Sequence, residues 1–201
     1  MVIDAQATPT LARQVIQKVR SVTDKPISHL VLSHYHAVRV LGAAEYKASN
    51  IIMSSKARSM VVERGQEDWD SEFDRFPRLF KGHEEIPGLT WPTTTFDKKM
   101  SLYLGKRRVD LYFLGRAHTA GDIVIHVPDS NVLFTGDIVE YKSACYCGDA
   151  HLQDWPITLK NIARFQAVSL VPGRGDALTD PRQIDDAIEL TEDFVTSTFC
   201  L

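Results

Sequence analysis

The sequence predicts a mixed α/β fold in one domain, and three observations carry that reading. Its first part runs strand, helix, strand, helix, strand. The middle is a series of short segments rich in β-branched and aromatic residues, and the end returns to helix, strand and helix. With 201 residues, 44% of them hydrophobic and 24% charged, the chain has ordinary globular composition.

Taken in order, Val2-Ile3 reads as a stub of strand stopping at Asp4. A helix follows from Pro9, with Leu11, Val15, Ile16 and Val19 on one face. His29 to Ser33 (HLVLS) reads as a buried strand, Ala43 to Ser49 as a short helix, Asn50 to Ser54 as a strand and Lys56 to Arg64 as an amphipathic helix. Residues 65 to 92 change character, clustering Asp and Glu with Trp69, Phe73, Phe76 and Phe80, and are expected to form an insertion or lid. Five short strands are predicted next, at Thr93–Asp97, Met100–Leu104, Val109–Phe113, Ile123–Val127 and Val132–Phe134, mostly antiparallel and punctuated by Gly105 and Pro128-Asp129-Ser130-Asn131. Ile157–Phe165 reads as a helix, Ala167–Val171 as a strand, and Pro181–Thr198 as a long helix with proline at its first position.

Composition excludes several classes of function. With 23 Lys+Arg against 26 Asp+Glu the net charge is −3, and no basic run exceeds Lys106-Arg107-Arg108, so a nucleic-acid partner is not expected. No apolar stretch approaches the roughly 18 residues of a membrane span. The start lacks a basic region followed by an apolar one, so a cytoplasmic location is expected. Cys145, Cys147 and Cys200 are odd in number and fit no zinc or thioredoxin-type spacing; they read as free thiols.

Chemistry concentrates at strand ends. His34 and His36 directly follow the buried strand HLVLS, and at spacing i, i+2 in extended backbone they project to the same side, within reach of one ion. Gly115-Arg116-Ala117-His118-Thr119-Ala120-Gly121-Asp122 sets a histidine in a turn between two strands, and Phe134-Thr135-Gly136-Asp137 ends another strand in a carboxylate. Three histidines and one aspartate match the ligand count and type of a hydrolytic zinc or iron site.

With SHYHAVRVLG at 33 to 42, GRAHTAGD at 115 to 122, FTGD at 134 to 137 and VPGRG at 171 to 175, the chain resembles the metallo-β-lactamase fold superfamily over most of its length. The resemblance implies a four-layer αββα sandwich over 1–201, with a metal site at the sandwich edge. It places His34, His36 and His118 in the first metal site and Asp137 in the bridging position. Where the family signature H-x-H-x-D-H expects Asp and His this chain has Val38 and Arg39, and where V-P-G-H-G is expected it has Arg174. The ligands particular to a second metal are therefore replaced. One metal ion is expected: zinc, with iron or manganese as alternatives.

Arg39 and Arg174 would either pair with Asp137 or receive an anionic group of the substrate, since guanidinium forks suit carboxylates. Asp137 would complete coordination or accept a proton from metal-activated water. His151 and Asp149 are candidates for proton transfer, against a structural role for His151 in a helix-turn. Tyr141 and Trp69 would line an aromatic-friendly pocket, unless they serve only the core. His29, His83 and His126 receive no role.

The leading expectation is a mononuclear hydrolase of a small organic substrate, an ester, lactone, amide or carbon–halogen bond. An iron thiol or persulfide dioxygenase is the second reading, using His34, His118 and Asp137. A non-catalytic binding protein that retains the fold is the third. Relatives usually carry further N-terminal strands before the position of Asp4, so the domain is expected to be N-terminally truncated, with a homodimer as one way to cover the exposed edge.

Overall fold

The computed structural model describes residues 1–199 and divides the chain into two compact units, Met1–Thr95 and the remainder from Phe96. Cys200 lies outside the described residues.

In the first unit, β1 (Val2–Ile3), β2 (His29–Val31) and β3 (Asn50–Ser54) are parallel, with Val2 opposite Leu30 and His29 opposite Asn50. β4 (Thr94–Phe96) follows β3 in the sheet. Parallel neighbours need a crossover, and α1 (Pro9–Arg20) makes the first one. Thr8 caps it, its hydroxyl accepting from Leu11 N–H at 3.3 Å. Leu30, Val31 and Leu32 are fully buried, as a central parallel strand requires.

The chain then departs from the sequence expectation in two places. A short helix, α2 (Ala37–Val40), starts directly after His36, and the segment expected as a helix from Ala43 is a single 3-10 turn, Ala43–Tyr46. α3 begins at Ser55, capped by the Ser54 hydroxyl, but runs to Arg75 rather than Arg64. Residues 65–75, expected in the insertion or lid, are thus the second half of a long helix. Beyond it Phe80 is buried against Phe73 with ring centroids 5.8 Å apart, Thr8 Oγ1 donates to Lys81 O at 2.8 Å, and Arg13 pairs with Glu85 at 2.8 Å. These contacts bind the segment to α1.

The second unit is a five-stranded sheet: β5 (Lys99–Leu104), β6 (Arg107–Tyr112), β7 (Val124–Val127), β8 (Val132–Gly136) and β9 (Ser169–Pro172). The first four pair antiparallel, and β9 joins β8 in parallel after the crossover helix α4 (Trp155–Ala163). α5 (Pro181–Phe199) closes the chain, with the Asp180 side chain accepting from Arg182 N–H at 2.9 Å. Trp155, Leu159, Leu133, Leu170, Ala187 and Val195 are the centre of this unit's core. No helix among the described residues is long and apolar enough to cross a membrane.

Candidate functional site

In the first unit the site residues cluster where β2 ends. Asp4, in left-handed backbone at φ 58°, is buried at the end of β1, a conformation that Asp adopts more readily than most residues. Its carboxylate accepts from Ser33 N–H at 2.7 Å and from Ser33 Oγ at 2.9 Å. The Ser33 hydroxyl also lies 2.9 Å from His34 Nδ1. A hydroxyl has one proton, and here it goes to the carboxylate; the His34 contact therefore requires Nδ1 to carry the ring proton. Nε2 of His34 is left with the lone pair, the form in which imidazole binds a metal.

His36, 2% exposed, is the residue from which α2 starts, and its side chain makes no capping bond. The caps come from α3 instead. Asp68 Oδ2 accepts from Ala37 N–H at 2.8 Å, and Glu72 Oε2 accepts from Val38 N–H at 2.9 Å. The other Asp68 oxygen lies 3.8 Å from His36 Nε2. Burial, reinforced by the neighbouring Asp68 charge, pushes the Glu72 carboxyl up from its ordinary value. Neither carboxylate was anticipated as part of the site. The signal available was their i, i+4 spacing within an otherwise polar stretch, which also fits an ordinary solvated helix face. Arg39 lies on α2, and its carbonyl accepts from Ala5 N–H at 2.6 Å.

In the second unit His118, 1% exposed, sits in a turn held by side-chain bonds. Asp122 accepts from Thr119 N–H at 2.6 Å and from Thr119 Oγ1 at 2.9 Å, while Thr158 Oγ1 donates to Arg116 O at 2.8 Å. His118 Nδ1 faces the Tyr146 carbonyl at 3.0 Å. A carbonyl only accepts, so Nδ1 carries the proton and Nε2 again has the lone pair. Asp137 Oδ2 is 3.7 Å from that nitrogen.

Gly136, at φ 52°, turns the chain from β8 into Asp137. Gly173 makes the close approach possible, since a Cβ there would stand 2.7 Å from the Asp137 Cα. Arg174 then places one guanidinium nitrogen 3.3 Å from Asp137 Oδ2 and 2.7 Å from Glu140 Oε1. Glu140 was not anticipated. It is 3% exposed, and the only sequence sign was its place three residues after Asp137. Tyr141 is half-buried beside Arg174, whose carbonyl accepts the Tyr141 N–H at 3.1 Å. Trp155 joins both loops, its ring 5.7 Å from that of His118 and its indole N–H donating to Ile138 O at 2.9 Å.

His151 is placed at the turn entering α4. Its N–H donates to Ala117 O at 2.8 Å, and its carbonyl accepts from Asp154 and Trp155 N–H. Burial and then the Arg116 charge push its imidazole below the usual histidine range, so it is neutral at physiological pH. Burial and the nearby Glu140 push the Cys145 thiol up to about 12, and burial also raises Cys147; both are free, protonated thiols.

Comparison with known proteins agrees with this architecture. The family model described as "Metallo-beta-lactamase superfamily" matches residues 1–154, and the chain belongs to that superfamily. It is 24% identical over 181 residues to a metallo-β-lactamase type 2 of Bacillus cereus, covering 88% of this chain and 62% of that protein. It is 30% identical over 104 residues to one of Elizabethkingia meningoseptica, covering 50% of this chain and 42% of that protein. The chain thus spans less than two thirds of the length of these relatives. Among solved structures, a metallo-β-lactamase from Pontibacter korlensis superposes with TM-score 0.73 at 20% identity, over 96% of this chain and 81% of that one. TMB-1 superposes with TM-score 0.73 at 18% identity, over 98% and 79%. The mixed α/β fold with two sheets is therefore that of the metallo-β-lactamases.

Proposed function

We propose that the protein is a mononuclear metal-dependent hydrolase of a small organic substrate, with His34, His36 and His118 holding one zinc ion. The observation that carries this is a set of three buried imidazoles, the group of the described residues suited to hold an ion. The donors fit. In two of the three imidazoles an acceptor bond on Nδ1 fixes the metal-binding tautomer, and neutral imidazoles are characteristic zinc ligands. Asp137 brings a carboxylate oxygen 3.7 Å from His118 Nε2, and its negative charge favours a cation there. Zinc held by these three imidazoles would act as a Lewis acid and would lower the pKa of a bound water to about 7.

The residues divide the remaining work. Asp137 Oδ2 accepts a proton from the attacking water, and Arg174 offsets the charge of that carboxylate and of Glu140. One nitrogen of Arg174 makes both of those ion pairs, so the rest of its guanidinium fork serves an anionic group of the substrate, with Arg39 as a second candidate and Tyr141 alongside. His151, neutral at physiological pH, is a candidate to relay to the leaving group the proton that Asp137 takes from the water. Val38, Arg39 and Arg174 stand where the resemblance to the superfamily signature expects second-metal ligands. Valine has no donor, and fixed guanidinium charge repels a second dication.

Elemental analysis of the purified protein tests the metal reading. About one zinc per chain supports it and leads to a screen of esters, lactones, amides and halogenated substrates. About one iron redirects the screen to thiol and persulfide oxidation, two zinc ions overturn the mononuclear assignment, and no metal in folded protein favours a non-catalytic role.

A further inference from the structure

We propose that the free edge of β5 docks an extended protein segment of alternating acidic and apolar residues, which adds to the sheet as a further strand. The proposal concerns the second unit alone and needs no metal. β5 pairs with β6 and, among the described residues, with no other strand. Phe113 N–H donates to Lys98 O at 2.9 Å, and the register places Lys99 opposite Tyr112. Backbone groups alternate in direction along an antiparallel strand, so those of Met100, Leu102 and Leu104 serve β6 and those of Lys99, Ser101 and Tyr103 turn outward. Such a row of N–H and C=O groups is a template for another strand.

The side chains along this edge define the occupant. Met100, Leu102 and Leu104 are half-buried and form an apolar stripe on one face, which an incoming strand would cover. On the other face Lys99 and Tyr103 are exposed, Tyr103 by 70%, and Arg108 stands opposite Tyr103 on β6. From Asp97 to Tyr112 the hairpin carries five basic residues and two acidic ones, in a chain whose net charge is −3. One of those acids, Asp110, is buried and already met by Ser101 at 2.7 Å, Arg108 at 3.4 Å and Lys99 at 3.6 Å. Lys98, Lys106 and Arg107 are exposed at the two ends of the edge. A docking strand thus meets apolar groups on one face and positive charge on the other and at both ends, which fits alternating apolar and carboxylate side chains. A second copy of the chain would bring the same cations against these, and lysines on an edge oppose self-pairing. Nucleic acid would answer the charge but leave the backbone edge and the apolar stripe unused.

The test uses the full chain, labelled with 15N, and a short capped peptide alternating glutamate and valine. The expected result is saturable binding with a dissociation constant below about 1 mM, shifted and more slowly exchanging amides at Lys99, Ser101 and Tyr103, and weakening as salt screens the charge. The same peptide with lysine in place of glutamate should not bind. Tyr103→Pro removes an outward N–H and should abolish binding. The triple variant Lys98→Glu, Lys106→Glu, Arg107→Glu leaves the strand itself unchanged and should bind at least about tenfold more weakly. No saturable binding up to about 1 mM overturns the proposal, as does equal binding of the lysine peptide or binding that leaves the β5 amides unmoved. Unchanged affinity in the triple variant also overturns it, even if Tyr103→Pro fails to fold. Tighter binding of an oligothymidylate at this hairpin would replace the proposal with a polyanion surface, and a wild-type dimer in sedimentation that Tyr103→Pro dissociates would replace it with a second copy.

Discussion

At the scale of single residues, the ligand assignment makes His118 decisive. His118→Ala should remove zinc from the proposed site, and a variant that keeps one tightly held equivalent by elemental analysis would refute the assignment. Arg174 differs in kind, because it neutralises carboxylates instead of holding the ion. Arg174→Ala should keep its zinc while turnover falls, and unchanged turnover would reduce Arg174 to a neutraliser. Gly173→Ala tests the approach to Asp137: a Cβ 2.7 Å from the Asp137 Cα must displace backbone, with an expected loss of about 1–3 kcal/mol in urea unfolding. His34, His36, His118, Asp137 and Arg174 were all legible as singular residues, since each stands in a recognisable motif, His118 in a turn between two strands and the others following strands. Asp68, Glu72 and Glu140 were not. A carboxylate in a polar stretch looks alike whether it faces water or a buried helix end, and only packing tells the two apart.

At the scale of elements, α4 joins the loops that bear His118 and Asp137 through one residue. Trp155→Phe removes the indole donor and leaves the buried Ile138 carbonyl without it, so a loss of about 1–3 kcal/mol is expected in chemical denaturation. Strand pairing has its own pH signature. Burial alone would raise the Asp110 carboxyl, but hydrogen bonds from Ser101 (2.7 Å) and Tyr112 (3.1 Å), with Lys99 and Arg108 nearby, hold it below the usual range. A carboxylate with a lowered folded-state pKa stabilises the fold above its unfolded value, about 3.9, and that contribution is lost as pH falls through the lower folded value. Unfolding free energy measured from pH 6 to pH 2 should therefore fall less steeply in Asp110→Asn than in the wild type. Most strands were readable in advance because β-branched runs end at turn residues. The extent of α3 was not, since its second half carries aromatic and acidic residues without a clean apolar stripe, and it is fastened by Asp68 and Glu72 to partners distant in sequence.

For the whole molecule, metal and stability should be linked. An ion that binds only the folded chain adds about 2.7 kcal/mol at a concentration one hundred times its dissociation constant. The melting temperature should therefore rise with added zinc and fall with chelator, and His118→Ala should abolish the response; a zinc-independent melting curve in the wild type would count against a folded-state site. By itself the sequence determined the superfamily, the order of most elements, and the histidines and aspartate of the proposed site. Those features are local, carried by residue type, spacing and hydrophobic period within a few positions. Only the tertiary structure decided which groups face Nδ1 of His34 and His118, that Arg174 pairs with Glu140 as well as Asp137, and that α3 caps α2. Tautomers, ion pairs and caps supplied from another helix depend on atoms brought together from distant parts of the chain, and no local pattern in the sequence records that proximity.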